Sequence, residues 1–167
     1  MSTGLRIARI QPPHHGHIDA IQQALDFWLK KIIIGIGSAN ISHTSDNPFS
    51  ADERQYMIQT LLDKHGLTSY TQIHHLPDFP DDTQRTQHII QTIPDFTHVI
   101  SDNTRVNSLF HDKIIIQPQT NLPVRASVIR QAIIQQQDHI LQQFLSPEII
   151  NYLTQIDGYQ RIKSLKQ

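Results

Sequence analysis

The run Ile32-Ile33-Ile34-Gly35-Ile36 constrains the fold more than any other stretch of the chain. Four β-branched residues in a row of five leave no polar face. Strands of that kind lie inside parallel sheets that are covered on both sides. Parallel neighbours need a crossover between them, usually a helix, and the residues upstream supply one. Leu5 to Ile10 is a short apolar run bounded by Pro12, which suits a buried strand. Ile18, Ile21, Leu25, Trp28 and Leu29 then recur at helical spacing through Lys30. The chain therefore opens with a βαβ unit, and Ile10 to His17 forms the loop between its first strand and its helix.

The alternation continues. After a polar loop from Gly37 to Asn47, Ser50 and Glu53 have capping-box spacing. Met57, Ile58, Leu61 and Leu62 give that helix its apolar face, and Gly66 ends it. Strands are expected at Tyr70 to Leu76, Thr97 to Ile100 and Lys113 to Gln117, with helices over Thr83 to Thr92 and Arg105 to Phe110 between them. A loop from Pro118 to Pro123 precedes a helix over Ser127 to Gln135, and Ser146-Pro147-Glu148 opens another. The polar tail from Gly158 has room for one more short helix. Five strands alternating with helices predict an α/β fold, a Rossmann-like doubly wound parallel sheet with C-terminal helices. The 167 residues fit one domain, 1–167, with its helical C-terminal part at about 126–167.

Composition removes several function classes. A formal charge of −1 argues against a general nucleic-acid binder but leaves room for a local basic pocket. With no cysteine there is no disulfide, thiolate metal site or cysteine nucleophile. No signal-peptide pattern opens the chain, and no apolar run nears the roughly 20 residues of a membrane span. A soluble, cytoplasmic protein is expected, with neither nucleic acid nor membrane as partner.

In doubly wound sheets, ligands bind beyond the carboxyl ends of the strands. The loops there start at Gln11, Gly37, Pro77, Asp102 and Gln117. The first is the richest, holding His14, His15, Gly16 and His17 just after Arg9. Three readings compete: a metal site, histidines that merely face water, and phosphate contact. Neighbouring side chains seldom converge on one ion, and no carboxylate lies beside them. The loop meets a helix start, whose unpaired N–H groups favour anions. Gly16 permits close approach, and the histidines add donors that can carry charge. Phosphate contact is the best account. Gly35-Ile36-Gly37 lacks the third glycine of a dinucleotide fingerprint, since residue 40 is Asn, and no Walker A sequence occurs.

Arg9-Ile10-Gln11-Pro12-Pro13-His14-His15-Gly16-His17 resembles the R-x-Q-P-x-H-x-G-H signature of the nucleotidyltransferase superfamily, and within it the archaeal-type nicotinamide-mononucleotide adenylyltransferases. Ile34 to Ala39, Ser42-His43-Thr44 and Asn47 to Arg54 are similar to that family's stretch after the second strand. Val99-Ile100-Ser101-Asp102-Asn103 resembles its loop after the fourth strand, and Val124 to Arg130 its second signature, I-S-x-T-x-I-R. The matches keep their order from about Arg6 to Lys166. Ala8 stands for the usual Gly, Arg125 for Ser, Ser127 for Thr and Val128 for Glu. Asp78 matches the family's Asp after the third strand, but Arg85 stands where a Trp stacks on the nicotinamide ring.

The resemblance implies adenylyl transfer from ATP to nicotinamide mononucleotide, giving NAD and pyrophosphate, with Mg2+ carried by the ATP rather than by a carboxylate cage. It implies catalytic roles for His14, His17 and Arg130, and ATP contacts from Arg9, Gln11, Gly16, Ser127 and Ile129. Acceptor contacts fall to Gly37, Ser38, Asp78, Arg85 and Asn103. Glu53 and Arg54 lie inside the match, although Glu53 is already explained as a cap. The family commonly assembles as homo-oligomers. Arg85 keeps other phosphorylated acceptors open, namely nicotinic acid mononucleotide, pantetheine phosphate and FMN. A sensor that binds nucleotides without turnover is the alternative outside enzymes.

Overall fold

The structure is a computed structural model that describes residues 2–119 and 124–165. Five parallel strands form one sheet: β1 (Thr3–Ala8), β2 (Lys31–Ile36), β3 (Thr71–His75), β4 (His98–Ile100) and β5 (Ile114–Ile116). Their order is β3-β2-β1-β4-β5. The chain thus winds outward from β1 on one side, then returns to pair β4 against its other edge. The strand order reverses between β1 and β4, the point where ligands bind in such sheets.

The crossovers are α1 (His15–Asp26), α2 (Ala51–Lys64), α3 (Asp82–Thr92) and α4 (Thr104–Leu109). After β5 come α5 (Ala126–Ile134), α6 (Asp138–Phe144), α7 (Pro147–Gln155) and α8 (Gly158–Ser164). One face of the sheet buries Ile32, Ile34 and Ile36 against Ile21 of α1, Met57 and Leu61 of α2, and the apolar sides of α5 to α8. The other buries Leu5, Ile33 and Val99 beneath Ile89 and Phe110. All four isoleucines of the β2 run are buried, as a strand covered on both faces requires.

The local signals act as their chemistry demands. Ser50 Oγ accepts from Glu53 N–H at 3.2 Å while Glu53 accepts from Ser50 N–H at 2.9 Å, completing the α2 capping box. Asn103 Oδ1 caps α4 by accepting from Arg105 N–H at 2.9 Å. Three differences from expectation have physical causes. The segment taken as a loop is shorter, because His15, Gly16 and His17 already form the first turn of α1, with His14 as its cap. Trp28 is not on α1: the helix ends at Asp26, and Trp28 takes a left-handed conformation, φ 69°, with its ring 85% exposed. Helix α6 was not expected, since its short stretch offers Ile140, Leu141 and Phe144 but no Ser, Thr, Asp or Asn in the capping position. The expected loop from Pro118 to Pro123 lies partly outside the described residues. Among the described residues no helix is long and apolar enough to cross a membrane.

Candidate active site

The site is built on the first turn of α1. The His14 backbone N–H donates to Nδ1 of His17 at 3.2 Å, so an imidazole does what the carboxylate of a capping box does elsewhere. Because Nδ1 accepts, neutral His17 carries its proton on Nε2. The two rings are buried, with centroids 4.0 Å apart. A Cβ on Gly16 would stand 3.1 Å from His14 Nδ1 and 3.2 Å from its Cε1. The close approach that Gly16 allows is therefore the approach of the His14 ring.

Neither imidazole supplies charge. Burial holds His14 down to about 4, with the positive charges of Arg6 and His15 adding to the effect. Burial, with His14 and Arg6 beside it, holds His17 well below the ordinary range for histidine. With no anion bound, burial keeps both imidazoles uncharged at neutral pH, and they offer neutral N–H groups. The positive charge comes from arginines. One of them, Arg6, was missed in the sequence. The signal was there, since it is the one charge inside an otherwise apolar central strand, and a charge so placed needs a reason.

Two cavities meet above the switch point. One of about 470 Å³ is lined by Arg6, Arg9, His14, His17, Asp102 and Arg125, among others. The second, about 390 Å³, takes in Gly37, Ser38, Asp78, Arg85 and Arg105. Arg9 and Asn103 line both and form their boundary. The five residues expected at the acceptor are thus brought together, and the histidines share their cavity with Arg9. Asn103 spends its Oδ1 on capping α4, which leaves its amide nitrogen as the group to meet a ligand.

Two buried polar side chains hold these walls. Arg54 of α2 is fully buried, and its guanidinium donates to four backbone carbonyls: Ser50 at 3.1 Å, Arg9 at 2.8 Å, Gly37 at 2.7 Å and Ser38 at 3.1 Å. It thereby ties the loop after β1 to the loop after β2. Burial lowers it to about 10, so it stays charged at neutral pH. Gln11 uses its amide on Phe49, donating to the carbonyl at 3.1 Å and accepting the N–H at 3.0 Å. Gln11 thus reaches a ligand only through its backbone. Glu53 has a second partner beyond its cap, Arg161 of α8, at 2.7 Å.

Ser127 and Arg130 lie apart from the histidines. They line a smaller cavity of about 230 Å³ with Ser45, Gln131, Ile134 and Ile162. Arg130 donates to the Gln11 carbonyl at 3.0 Å and stands 3.6 Å from Asp46. Ile129 is fully buried in the core, so only its backbone could touch a ligand. Arg125, in contrast, faces the histidine cavity.

Arg85 is not a bare cation in the second cavity. It lies 3.4 Å from Asp78 and 3.4 Å from Asp82, and Arg105 pairs with Asp82 at 2.9 Å. Asp78 and Asp82 thus pair with Arg85 and Arg105, although Asp82 does not itself line the cavity and Arg9 adds a positive charge at its edge.

A divalent cation is implied by the resemblance, but the side chains do not form a site for one. Among the described residues no three histidine, aspartate or glutamate side chains gather as ligands, and hard cations need several oxygen donors.

Comparison with known proteins gives the family of the chain. Residues 9–132 match the sequence profile of the family described as Cytidylyltransferase-like. Nicotinamide-nucleotide adenylyltransferase of Thermococcus sibiricus is 33% identical over 97% of this chain and 88% of its own length. The enzyme of that name from Pyrococcus furiosus is 32% identical over 99% of this chain and 89% of its own. That from Methanolobus tindarius is 33% identical over 100% and 96%. Among solved structures, the bifunctional NMN adenylyltransferase/ADP ribose pyrophosphatase of Francisella tularensis, complexed with AMP and a manganese ion, superposes with a TM-score of 0.79 at 23% identity. The match covers 98% of this chain and 52% of that one, so it speaks to the fold of about half of the bifunctional protein. On sequence and fold together, the chain belongs to the Cytidylyltransferase-like family of nucleotidyltransferases, beside the archaeal nicotinamide-nucleotide adenylyltransferases.

Proposed function

We propose that this protein joins ATP and nicotinamide mononucleotide to give NAD and pyrophosphate. The observation that carries the reading is the pair of cavities meeting at Arg9 and Asn103, one with the histidine pair and the other with the Asp78–Arg85 ion pair. The relatives named for this reaction, at 32–33% identity over nearly the whole chain, support it. ATP places its phosphates in the histidine cavity. The acceptor nucleotide enters the other, where Asp78 and Arg85 face its ring and Gly37 and Ser38 lie along it.

The chemistry is a displacement at the α-phosphorus, so the protein has to align the partners and stabilise charge. His14 and His17 donate uncharged N–H groups to the phosphate oxygens, and Arg9 adds a cation at the boundary. Arg130 and Ser127 approach the nucleotide from the α5 side, with the backbone around Gln11, Gly16 and Ile129. Magnesium arrives on the triphosphate, which supplies most of its ligands.

Purified protein incubated with ATP, nicotinamide mononucleotide and magnesium will form NAD. A sample that forms none sinks the reading. Pyrophosphate release across a panel including nicotinic acid mononucleotide, pantetheine phosphate and FMN then names the acceptor. Tight ATP binding with no pyrophosphate from any acceptor leaves a sensor instead.

A further inference from the structure

Arg6 sits on the central strand, in register with Ile34 of β2. Its guanidinium makes one long bond, to the Ile100 carbonyl at 3.5 Å, and its buried Nε has no partner among the described residues. Asp102 is the carboxylate whose charge acts on it, yet no carboxylate reaches ion-pair distance among the described residues. Burial pulls its pKa down from the ordinary arginine value. A half-buried cation whose Nε is fully buried and unpaired is unfavourable by itself, and such groups call for an explanation. Arg6 lines the cavity of His14 and His17, the one that takes the triphosphate on the adenylyl-transfer reading. An anion that enters there meets a donor set which is already desolvated and waiting.

The face of β1 on which Arg6 lies adds direction. Successive side chains of a strand point to opposite faces. Ile7 lines the acceptor cavity, while Arg6 lines the histidine cavity. In phosphoryl transfer the attacking and leaving oxygens lie roughly in line across the phosphorus. The acceptor comes from the Ile7 side, so the leaving group departs toward the Arg6 side.

We propose that Arg6 is a phosphate-binding residue that holds the pyrophosphate leaving group. This rests on the adenylyl-transfer reading above. An oxygen of the acceptor phosphate forms a bond to the α-phosphorus. The bond from that phosphorus to the α–β bridging oxygen breaks, and its electron pair stays with the pyrophosphate. No proton moves, and no redox partner is needed. The added negative charge appears on the group that Arg6 faces, so its attraction grows as the bond breaks.

The test uses Arg6→Met, which keeps the length of the side chain without its charge, and Arg6→Lys, which keeps the charge. Run in reverse, from NAD and inorganic pyrophosphate, Arg6→Met raises the KM for pyrophosphate by about 10- to 100-fold, the weight of a charge-assisted contact. KM for nicotinamide mononucleotide in the forward direction stays within about twofold, Arg6→Lys recovers most of the loss, and the thermal midpoint of Arg6→Met does not fall, because a half-buried cation with no ion-pair partner among the described residues has been removed. An unchanged pyrophosphate KM in an active Arg6→Met overturns the proposal while leaving the reaction intact. If the wild type makes no NAD, calorimetric titration with pyrophosphate alone decides. Weaker binding by Arg6→Met than by wild type upholds the anion site, and equal binding by both overturns it.

Discussion

Arg54→Met removes a guanidinium whose hydrogen bonds all go to backbone carbonyls, yet it will be felt at the site. Four carbonyls, those of Arg9, Gly37, Ser38 and Ser50, lose their donor at once. Arg9, Gly37 and Ser38 all line a cavity that water can enter. Ser38 is the buried one of the three, so its carbonyl suffers more. Leaving a buried acceptor without its donor costs about 1–3 kcal/mol. Losing four such bonds, some of them regained from water, therefore costs about 3–5 kcal/mol, and each kcal/mol moves the midpoint of a chain this size by about 2–4 °C. A fall of roughly 10 °C in the thermal midpoint is expected. Because Arg9, Gly37 and Ser38 ride on the two loops that Arg54 joins, kcat measured well below that midpoint also drops, by about tenfold or more. Arg54→Lys keeps one charge but cannot fork to carbonyls on both loops, and falls between. Calorimetry or circular dichroism gives the midpoint, and NAD formation gives the rate. A midpoint within 2 °C of wild type, at unchanged kcat, would refute the reasoning, since it would mean that water replaces the clamp without cost.

Three further outcomes follow from the same geometry. In His17→Ala, kcat falls by about 10²–10³ while ATP affinity by calorimetry changes little; equal losses in both would mark a ground-state contact. For His14, the folded pKa of about 4 lies below the unfolded value of 6.5, so between those values the unfolded chain binds more protons. Stability therefore falls as pH drops from 6.5 to 4, by roughly 3 kcal/mol for this group, and urea unfolding of His14→Gln across that window shows a flatter curve; an identical slope would place the penalty elsewhere. EDTA leaves the midpoint of the nucleotide-free protein unchanged, because no cluster of ligands exists among the described residues, and yet abolishes NAD formation. A midpoint lowered by EDTA would reveal a protein-held ion.

The sheet was legible because its signals are local. An apolar run such as Ile32 to Ile36 has one comfortable environment, and Ser50 with Glu53 writes a helix start within four residues. The histidine signature was legible for the same reason, as its members lie on one turn of α1. What depends on distance in space was not. Burial sets the protonation of His14 and His17, and no spacing in the sequence reports it. Arg54 reads as an ordinary helix residue until carbonyls 16 and 45 positions away converge on it. Arg85 looked like an uncompensated cation because Asp82 joins Asp78 around it only after α3 has formed.

The boundary at Arg9 and Asn103 has a consequence for the product. On the proposed placement each substrate occupies one cavity, and the two can arrive independently. The dinucleotide fills both, and its halves are joined by the new bond. Once one half has docked, the other binds at the high effective concentration that a short tether imposes. The same partition that brings the reactants together therefore makes the product the stronger occupant, so on the proposed placement NAD is expected to inhibit as it accumulates and its release to pace turnover.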